Sequence, residues 1–328
     1  MDKKKISFTA ANSLPLKMCK NAVLIERLNQ HIIPPIHAQV IPTNRCNLSC
    51  KFCSCAKRDK DQQLTFKQLH QLAGDLEELG CEAVTITGGG EPLMHPEISD
   101  IILDFCEHNI QVGLVTNGLL FRNIPGYIFN AITWCRVSCC DDRKLNNNTR
   151  EIIEEAYEEG PGIDWAFSYV LSTTKSFDVD NLIKYVEFAN KHEFTHIRVV
   201  SDLLDLEHTM PMEDVSNALA AHKVDDSRVI YQGRKEYDRG QHSCYISLLK
   251  PVIGADGYLY PCCGAQYARN VADLDMAPAM RMGEMKDIIN IYEKQTWFNG
   301  SACVRCYYKN YNDFMEILLA DIKHKRFV

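Results

Sequence analysis

The sequence lacks the features of a membrane or secreted protein. No segment approaches the roughly eighteen consecutive apolar residues that a transmembrane helix needs. Residues 1–8 contain no long apolar run of the kind a signal peptide carries. Positive charge is also not in excess, since 36 Lys and Arg residues stand against 43 Asp and Glu residues, for a net charge of -7. We therefore expect a cytoplasmic protein without a membrane partner or an extended nucleic-acid-binding surface.

Cysteine, in contrast, is abundant, with 15 residues in the chain. Disulfides are rare in a reducing compartment, where clustered cysteines more often bind metal or carry out redox chemistry. Two groups of cysteines stand out, at residues 46–55 and 244–306. Each of them predicts a metal site.

Hydrophobic periodicity predicts an α/β fold. Helical spacing over residues 18–33 ends at Pro34-Pro35, and a strand–helix alternation follows. Strands are predicted at 36–41, 83–87, 111–116, 133–139, 165–171 and 196–200, and helices at 64–79 with Thr65 as N-cap, 96–108, 147–159 and 179–192, with a short one after Pro125. This alternation predicts a parallel sheet in a partial (β/α)6 barrel, with a site at the carboxyl ends of its strands.

The alternation ends after Asp202, and residues 203–240 are predicted to be irregular. Strand-like pieces around Val252 and Tyr258 then predict a small β-rich module held together by metal. An amphipathic helix over residues 312–323 would pack through Phe314, Ile317, Leu318 and Ile322. We therefore expect a helical extension (1–35), the barrel (36–235), the metal module (236–310) and a C-terminal helix (311–328).

The first cysteine group has the spacing CxxxCxxC, formed by Cys46, Cys50 and Cys53 just after the first strand. Three thiolates from one loop can hold a [4Fe–4S] cluster and leave one iron open. The amino and carboxylate groups of S-adenosylmethionine (SAM) would form a suitable chelate for that iron. Ordinary thiols or an incomplete zinc site are the alternatives. Cys55 has the wrong spacing for the same loop and is expected to be a spectator.

This loop, in this position, resembles the radical SAM superfamily. In that family the cluster gives one electron to the SAM sulfonium, and the resulting 5′-deoxyadenosyl radical takes a hydrogen atom from the substrate. The resemblance implies SAM and a [4Fe–4S] cluster as cofactors, and an electron donor such as flavodoxin or ferredoxin.

Further motifs extend the resemblance along the barrel. Residues 88–92 (GGGEP) follow the second strand and resemble the family's GGE motif, and a TNG turn follows the third strand at residues 116–118. The resemblance implies a SAM site lined by Gly89, Gly90, Glu91, Thr116, Asn117, Ser138 and Arg150.

Each of these assignments has a simpler alternative. Glu91 could be a turn residue, a TNG turn is common anywhere, and Arg150 could be a charge on the surface of a helix. Ser138 begins a Ser-x-Asp signature, but Cys140 stands at the expected acid position and Asp141 comes one residue late.

The second cysteine group has the pattern C-x12-G-x4-C followed by CxxC, given by Cys244, Gly257, Cys262 and residues 303–306. A hairpin with its turn at residues 256–257 would deliver Cys262, with the neighbouring Cys263 as the alternative ligand. Four thiolates from Cys244, Cys262, Cys303 and Cys306 suit structural zinc and an iron–sulfur cluster equally well. Beside the first motif, the pattern resembles the SPASM/twitch extensions. The full SPASM form has further cysteines, and residues 307–328 contain none, so the resemblance implies a twitch-like module with one auxiliary [4Fe–4S] cluster.

Together the motifs imply an enzyme that abstracts hydrogen from a small molecule or a peptide, with net oxidation or epimerisation. Cys140 shares a strand face with Ser138 and is a candidate hydrogen-atom donor. A peptide maturase that forms a crosslink or an epimer is a second interpretation. It is weakened because residues 1–35 leave no room for a leader-recognition domain before the first strand. A zinc-stapled binding protein without radical chemistry is a third.

Overall fold

In the computed structural model, which describes residues 15, 18–171, 177–205, 208, 210–233, 238–265, 278–321 and 323, ten strands form one sheet. Seven parallel strands lie side by side in chain order, and three C-terminal strands extend the sheet beyond the first of them. The parallel part consists of β1 (Ala38–Val40), β2 (Ala83–Ile86), β3 (Gln111–Thr116), β4 (Ile132–Cys140), β5 (Asp164–Leu171), β6 (His196–Ser201) and β7 (Val229–Gln232). The six predicted strands and their parallel order are confirmed.

The helices alternate with these strands. They are α1 (Ala22–Asn29), α2 (Phe66–Glu78), α3 (Ile98–Glu107), α4 (Asn147–Glu159), α5 (Val179–Lys191), α6 (Met212–Ala221), α7 (Ile246–Leu249), α8 (Ile288–Glu293) and α9 (Lys309–Leu319). Helix α2 begins where predicted, because Thr65 and Gln68 form a reciprocal capping box. The short helix after Pro125 is a 3-10 helix at Gly126–Ala131. No helix in the described part of the chain is both long and apolar enough to cross a bilayer.

Two sequence predictions are corrected. Residues 203–240 are not irregular throughout, since α6 and the seventh parallel strand β7 lie within them. Helix α9 begins three residues before the predicted start and ends at Leu319. Its buried positions are Asn312 and Met315, whereas Ile317 is 68% exposed and does not pack. Phe314 and Leu318 do pack against the core, and Ile322 lies outside the described residues.

The two faces of the parallel sheet differ in polarity. From Cys135 on β4 and from Trp165 on β5, the odd-numbered side chains are buried; Phe167, for example, contacts the rings of Tyr185 and Phe188 on α5. The opposite, inner face carries Arg136, Ser138, Ser168 and Arg198. Parallel strands covered on both faces are usually apolar throughout. The polar alternation therefore marks an inner face that lines a cavity rather than a packed layer.

The C-terminal strands continue this sheet at its β1 edge. Strand β9 (Val252–Ile253) pairs in parallel with β1, and β10 (Tyr258–Tyr260) returns antiparallel to it. The turn between them is at the predicted place, with Gly257 at φ 79°. Strand β11 (Gly283–Glu284) closes this edge, while β8 (Ser243–Cys244) and β12 (Phe298–Asn299) form a separate pair.

Candidate active site

The CxxxCxxC loop follows β1 at the carboxyl edge of the sheet, and its three cysteines are half-buried. The backbone N–H of Leu48 donates to the Cys46 Sγ at 3.4 Å. Burial is the main reason that the pKa of the Cys50 thiol is raised, while the Arg143 guanidinium opposes the rise and the nearby Cys140 thiol adds to it. The end of β4 and the residues that follow it therefore act electrostatically on this loop.

The glycine-rich turn after β2 packs on this loop. The N–H groups of Gly90 and Glu91 donate to the carbonyls of Thr43 and Arg45, at 3.1 and 2.7 Å. A Cβ at Gly90 would lie 1.9 Å from the Arg45 carbonyl oxygen, so a side chain there is excluded. The sequence suggested that these glycines admit a ligand. The backbone that Gly90 approaches is the segment that leads into the cysteine loop.

Glu91 links this turn to the TNG turn after β3. Its carboxylate is buried and accepts from the Leu93 N–H at 3.1 Å, the Thr116 hydroxyl at 2.5 Å and the Asn117 N–H at 2.7 Å. Burial raises the pKa of this carboxyl, although the three hydrogen bonds oppose the rise. Glu91 therefore holds two turns of the site together through its own contacts.

Asn117 connects three parts of the site. Its side-chain N–H donates to Asn47 Oδ1 in the cysteine loop at 2.7 Å, its backbone N–H donates to Glu91, and its carbonyl accepts from Arg143 at 3.0 Å. Thr116, Asn117 and Glu91 are thus brought together with the cysteine loop.

The side chains at the end of β4 point in two directions. Ser138 and Cys140 lie on the inner face, and Cys140 lies near Cys50. Asp141 points away, since it accepts from the Tyr169 hydroxyl at 2.7 Å. Arg150 lies apart from this group on α4, where its guanidinium carbon is 5.8 Å from the Phe188 ring centre.

The second cysteine group surrounds a small cavity. Cys244, Cys262, Cys303 and Cys306 all line it, together with Gly240, Gly300 and Tyr308. Burial, reinforced by the neighbouring thiols, raises the pKa of Cys244 to about 11 and that of Cys303 to about 12. Cys263 is not among the lining residues, and its Sγ lies 3.0 Å from the Tyr308 hydroxyl. The four cysteines of the predicted set thus line one cavity, and Cys263 is not among its lining residues.

A larger cavity, of about 450 Å³, lies on the inner face toward the amino ends of the strands. Arg136, His196 and Gln39 face it from the sheet, while Lys250 and Tyr308 close it from the C-terminal segment. Tyr308 lines both cavities, so the larger cavity and the cavity of the second cysteine group share this residue.

Residues 40–132 match the family model of the radical SAM superfamily. This segment contains the CxxxCxxC loop, the glycine-rich turn and the TNG turn, whose contacts are described above. Residues 40–132 thus carry a radical SAM domain.

Curated relatives resemble parts of this chain. The GTP 3',8-cyclase of Peptoclostridium acidaminophilum is 37% identical over 90 residues, which cover 26% of this chain and 27% of the relative. The GTP 3',8-cyclase of Staphylococcus aureus (strain JH9) is 28% identical over 191 residues, covering 52% and 55%. The chain thus spans from about a quarter to about half of the length of these relatives.

Solved structures share the fold over nearly the whole chain. Streptococcus suis SuiB bound to the precursor peptide SuiA has a TM-score of 0.61 at 15% identity, covering 88% of this chain and 71% of that chain. Native anSMEcpe with bound AdoMet and the Kp18Cys peptide has a TM-score of 0.55 at 15% identity, covering 90% and 86%. The fold agrees with the resemblance that the motifs carry.

The residues of the first site fit an open iron–sulfur cluster. The family implies a [4Fe–4S] cluster and SAM, and three thiols in one loop beside the Arg143 guanidinium provide three soft ligands and one fixed positive charge. At the second site the donor set is four thiols, complete for a cluster or for zinc.

Sequence reasoning missed two residues of the first site, Arg143 and Asn47. Arg143 follows the Cys140-Asp141 pair by only a few residues, and Asn47 directly follows Cys46, so proximity to the motifs was the available signal. Their roles depend on contacts between loops, which sequence spacing does not report.

Proposed function

We propose that this radical SAM protein is an enzyme that cleaves SAM reductively at the Cys46, Cys50 and Cys53 site and abstracts a hydrogen atom from a polar organic substrate. When bound, the cluster and SAM supply one-electron cleavage of the sulfonium and the 5′-deoxyadenosyl radical. One observation carries the proposal: the cysteine loop is joined by direct hydrogen bonds to both the glycine-rich turn and the TNG turn. An external one-electron donor, such as flavodoxin or ferredoxin, completes the scheme.

The protein's own residues would position SAM. Arg143 donates a hydrogen bond to the Asn117 carbonyl and interacts electrostatically with Cys50. Its guanidinium therefore suits the SAM carboxylate better than the guanidinium of Arg150 does. Ser138 is half-buried on the inner face and provides a hydroxyl near this end of β4. Gly89, Gly90 and Glu91 would support the pocket by fixing the cysteine loop.

The 450 Å³ cavity is proposed to receive the substrate. Its size falls in the range of small-molecule sites. Its charged side chains include both Arg136 and Lys250 and the acids Glu82 and Asp164, which favours a polar ligand over a lipid. Along β4, the step from Arg136 at the cavity to Cys140 beside Cys50 is about 13 Å, at roughly 3.3 Å per residue. A substrate held at Arg136 must therefore be extended to reach the radical.

The four C-terminal cysteines are proposed to hold an auxiliary [4Fe–4S] cluster that accepts the second electron in a net oxidation. Four protein thiolates leave no open iron, so electron transfer and stapling of the 236–310 module are the roles that remain. Tyr308, which lines both cavities, would stand between substrate and cluster.

A peptide substrate is a second candidate. SuiB and anSMEcpe, which share this fold, were solved with peptides bound. The extended path from Arg136 to Cys140 also suits a strand-like peptide segment. We infer that a peptide modification, such as a crosslink or an epimer, is the alternative to oxidation of a small molecule.

Reductive SAM cleavage tests the proposal. Anaerobically reconstituted protein with SAM and dithionite should form methionine and 5′-deoxyadenosine, and an accepted substrate should increase the amount. The Cys46→Ala/Cys50→Ala/Cys53→Ala variant should form none, whereas Cys19→Ala, at an exposed cysteine outside the site, should match the wild type. Equal 5′-deoxyadenosine from the triple variant would exclude this site as the catalytic one.

A further inference from the structure

A group of potential metal ligands lies on the outer, helical layer of the barrel, away from both cysteine sites. The ligand atoms of His70, Asp104 and His108 all lie within 4.8 Å of one another. His70 is on α2, Asp104 is on α3, and His108 is the C-cap of α3. Two neighbouring helices that pack against each other therefore contribute to one cluster.

The helical spacing explains how these side chains meet. Asp104 and His108 are four residues apart and lie on one face of α3. On α2, Gly74 follows His70 by one turn, and a Cβ at Gly74 would already lie 3.7 Å from His108 Cε1. This is an ordinary van der Waals distance, so the His108 imidazole packs directly on α2 at Gly74. The two histidine rings have their centres 5.6 Å apart.

The surroundings resemble the support that metal sites carry. Glu77 Oε2 lies 2.7 Å from His108 Nδ1, and its other oxygen accepts from the Asn109 side chain at 3.2 Å. A carboxylate on one imidazole nitrogen fixes the ring and directs the other nitrogen toward a metal. Asp104 is 7% exposed and its Oδ1 lies 2.7 Å from His70 Nδ1, so its position is also fixed.

We propose that His70, Asp104 and His108 form a binding site for a divalent transition metal, with Zn²⁺ as the ion that fits best, and that Glu77 positions His108. Two imidazoles and one carboxylate are ligands typical of zinc, and solvent would supply the remaining position. The exposed fraction of the His70 side chain is 59%, so the site is open to an ion from solution. Its role would be to fasten α2 to α3, which is independent of the proposed radical chemistry.

Zinc binding by the holoenzyme tests the site. Protein with its iron–sulfur clusters reconstituted would be dialysed anaerobically against Zn²⁺, and zinc and iron would be counted together by mass spectrometry. The wild type should bind one more Zn²⁺ per chain than His70→Ala/His108→Ala. Glu77→Gln should keep the site but weaken its affinity by about 10- to 100-fold, as loss of such a supporting carboxylate does. Zinc should also raise the apparent Tm of the wild type and not that of the double variant.

The chain offers a matched control in His208, an exposed histidine whose Nδ1 lies 2.8 Å from Asp205 without a third ligand in the described residues. His208→Ala should bind as much zinc as the wild type. If the double variant does not fold, Asp104→Asn, which keeps the shape of the side chain, should show the same loss. Equal zinc uptake by the wild type and the folded variants would overturn the proposal.

Discussion

Replacing Glu91 by glutamine separates two roles for this residue. The motif resemblance implies that Glu91 lines the SAM site, whereas its observed contacts are three hydrogen bonds within the protein, from Leu93, Thr116 and Asn117. Glutamine has the same shape but only one side-chain acceptor atom. Its carbonyl oxygen can replace Oε1, which accepts from Leu93 and Thr116. Its amide N–H then faces the N–H of Asn117.

The cost follows from that donor–donor contact. A buried donor left without its acceptor costs about 1–3 kcal/mol, and Glu91 is only 2% exposed, so water does not replace the lost contact. A change of this size lowers Tm by about 2–4 °C per kcal/mol in large domains. Glu91→Gln should therefore lower the apparent Tm by several degrees even when SAM is absent.

Anaerobic thermal unfolding with and without SAM, together with a SAM titration, measures both effects. Glu97→Gln is the matched control, because Glu97 is exposed, lies close by in the chain and makes no capping hydrogen bond to α3. Its apparent Tm should equal that of the wild type. If Glu91→Gln left the SAM-free Tm unchanged and weakened only SAM binding, the turn-bridging role derived from the structure would be refuted.

Three further expectations concern other parts of the molecule. Anaerobic iron analysis should give about eight irons per chain in the wild type and about four in Cys244→Ala, which should also be less soluble; zinc in place of the missing iron would contradict an auxiliary cluster. Cys140→Ala should retain 5′-deoxyadenosine formation but lose any epimerised product, and an unchanged epimer yield would remove Cys140 as hydrogen donor. Burial, with repulsion from Arg136 and Arg198, lowers the pKa of His196 to about 3. The pKa of a histidine in the unfolded chain is about 6.5. The free energy of unfolding should therefore fall as the pH drops below about 6.5, by up to about 1.4 kcal/mol per pH unit for this one proton. Denaturation at pH 7 and 5.5 should show a shallower pH slope in His196→Gln.

The barrel was predictable because its strands and helices have strong periodic patterns. Strand β3 and helix α4 fall at the predicted residues, and the capping box at Thr65 marks the start of α2 in the sequence itself. Helix α6 and strand β7 were missed because their patterns are weak. Only Val215 and Leu219 are buried on α6, and β7 has one fully buried residue, Val229. Short edge elements supply too few buried positions to produce a recognisable period.

The site was predictable as a set of turns but not as a network. Chain order put the cysteine loop, the glycine-rich turn and the TNG turn at the carboxyl ends of successive parallel strands, so their meeting followed from topology. Topology alone did not determine which groups each side chain contacts. Arg150 and Arg143 are both close in sequence to Ser138, and only the course of the chain after β4 brings Arg143 to Asn117 and leaves Arg150 beside Phe188.

The topology of the C-terminal hairpin separates the two cysteine groups. Strand β9 runs parallel to β1, so its carboxyl end lies at the same edge of the sheet as the CxxxCxxC loop. Strand β10 then runs back, with Tyr260 opposite Val252, and delivers Cys262 to the amino edge. The 450 Å³ cavity is lined from that same amino edge and shares Tyr308 with the second cysteine group. A ligand in the cavity would therefore lie near the second cysteine group, whereas the CxxxCxxC loop lies at the opposite edge of the sheet.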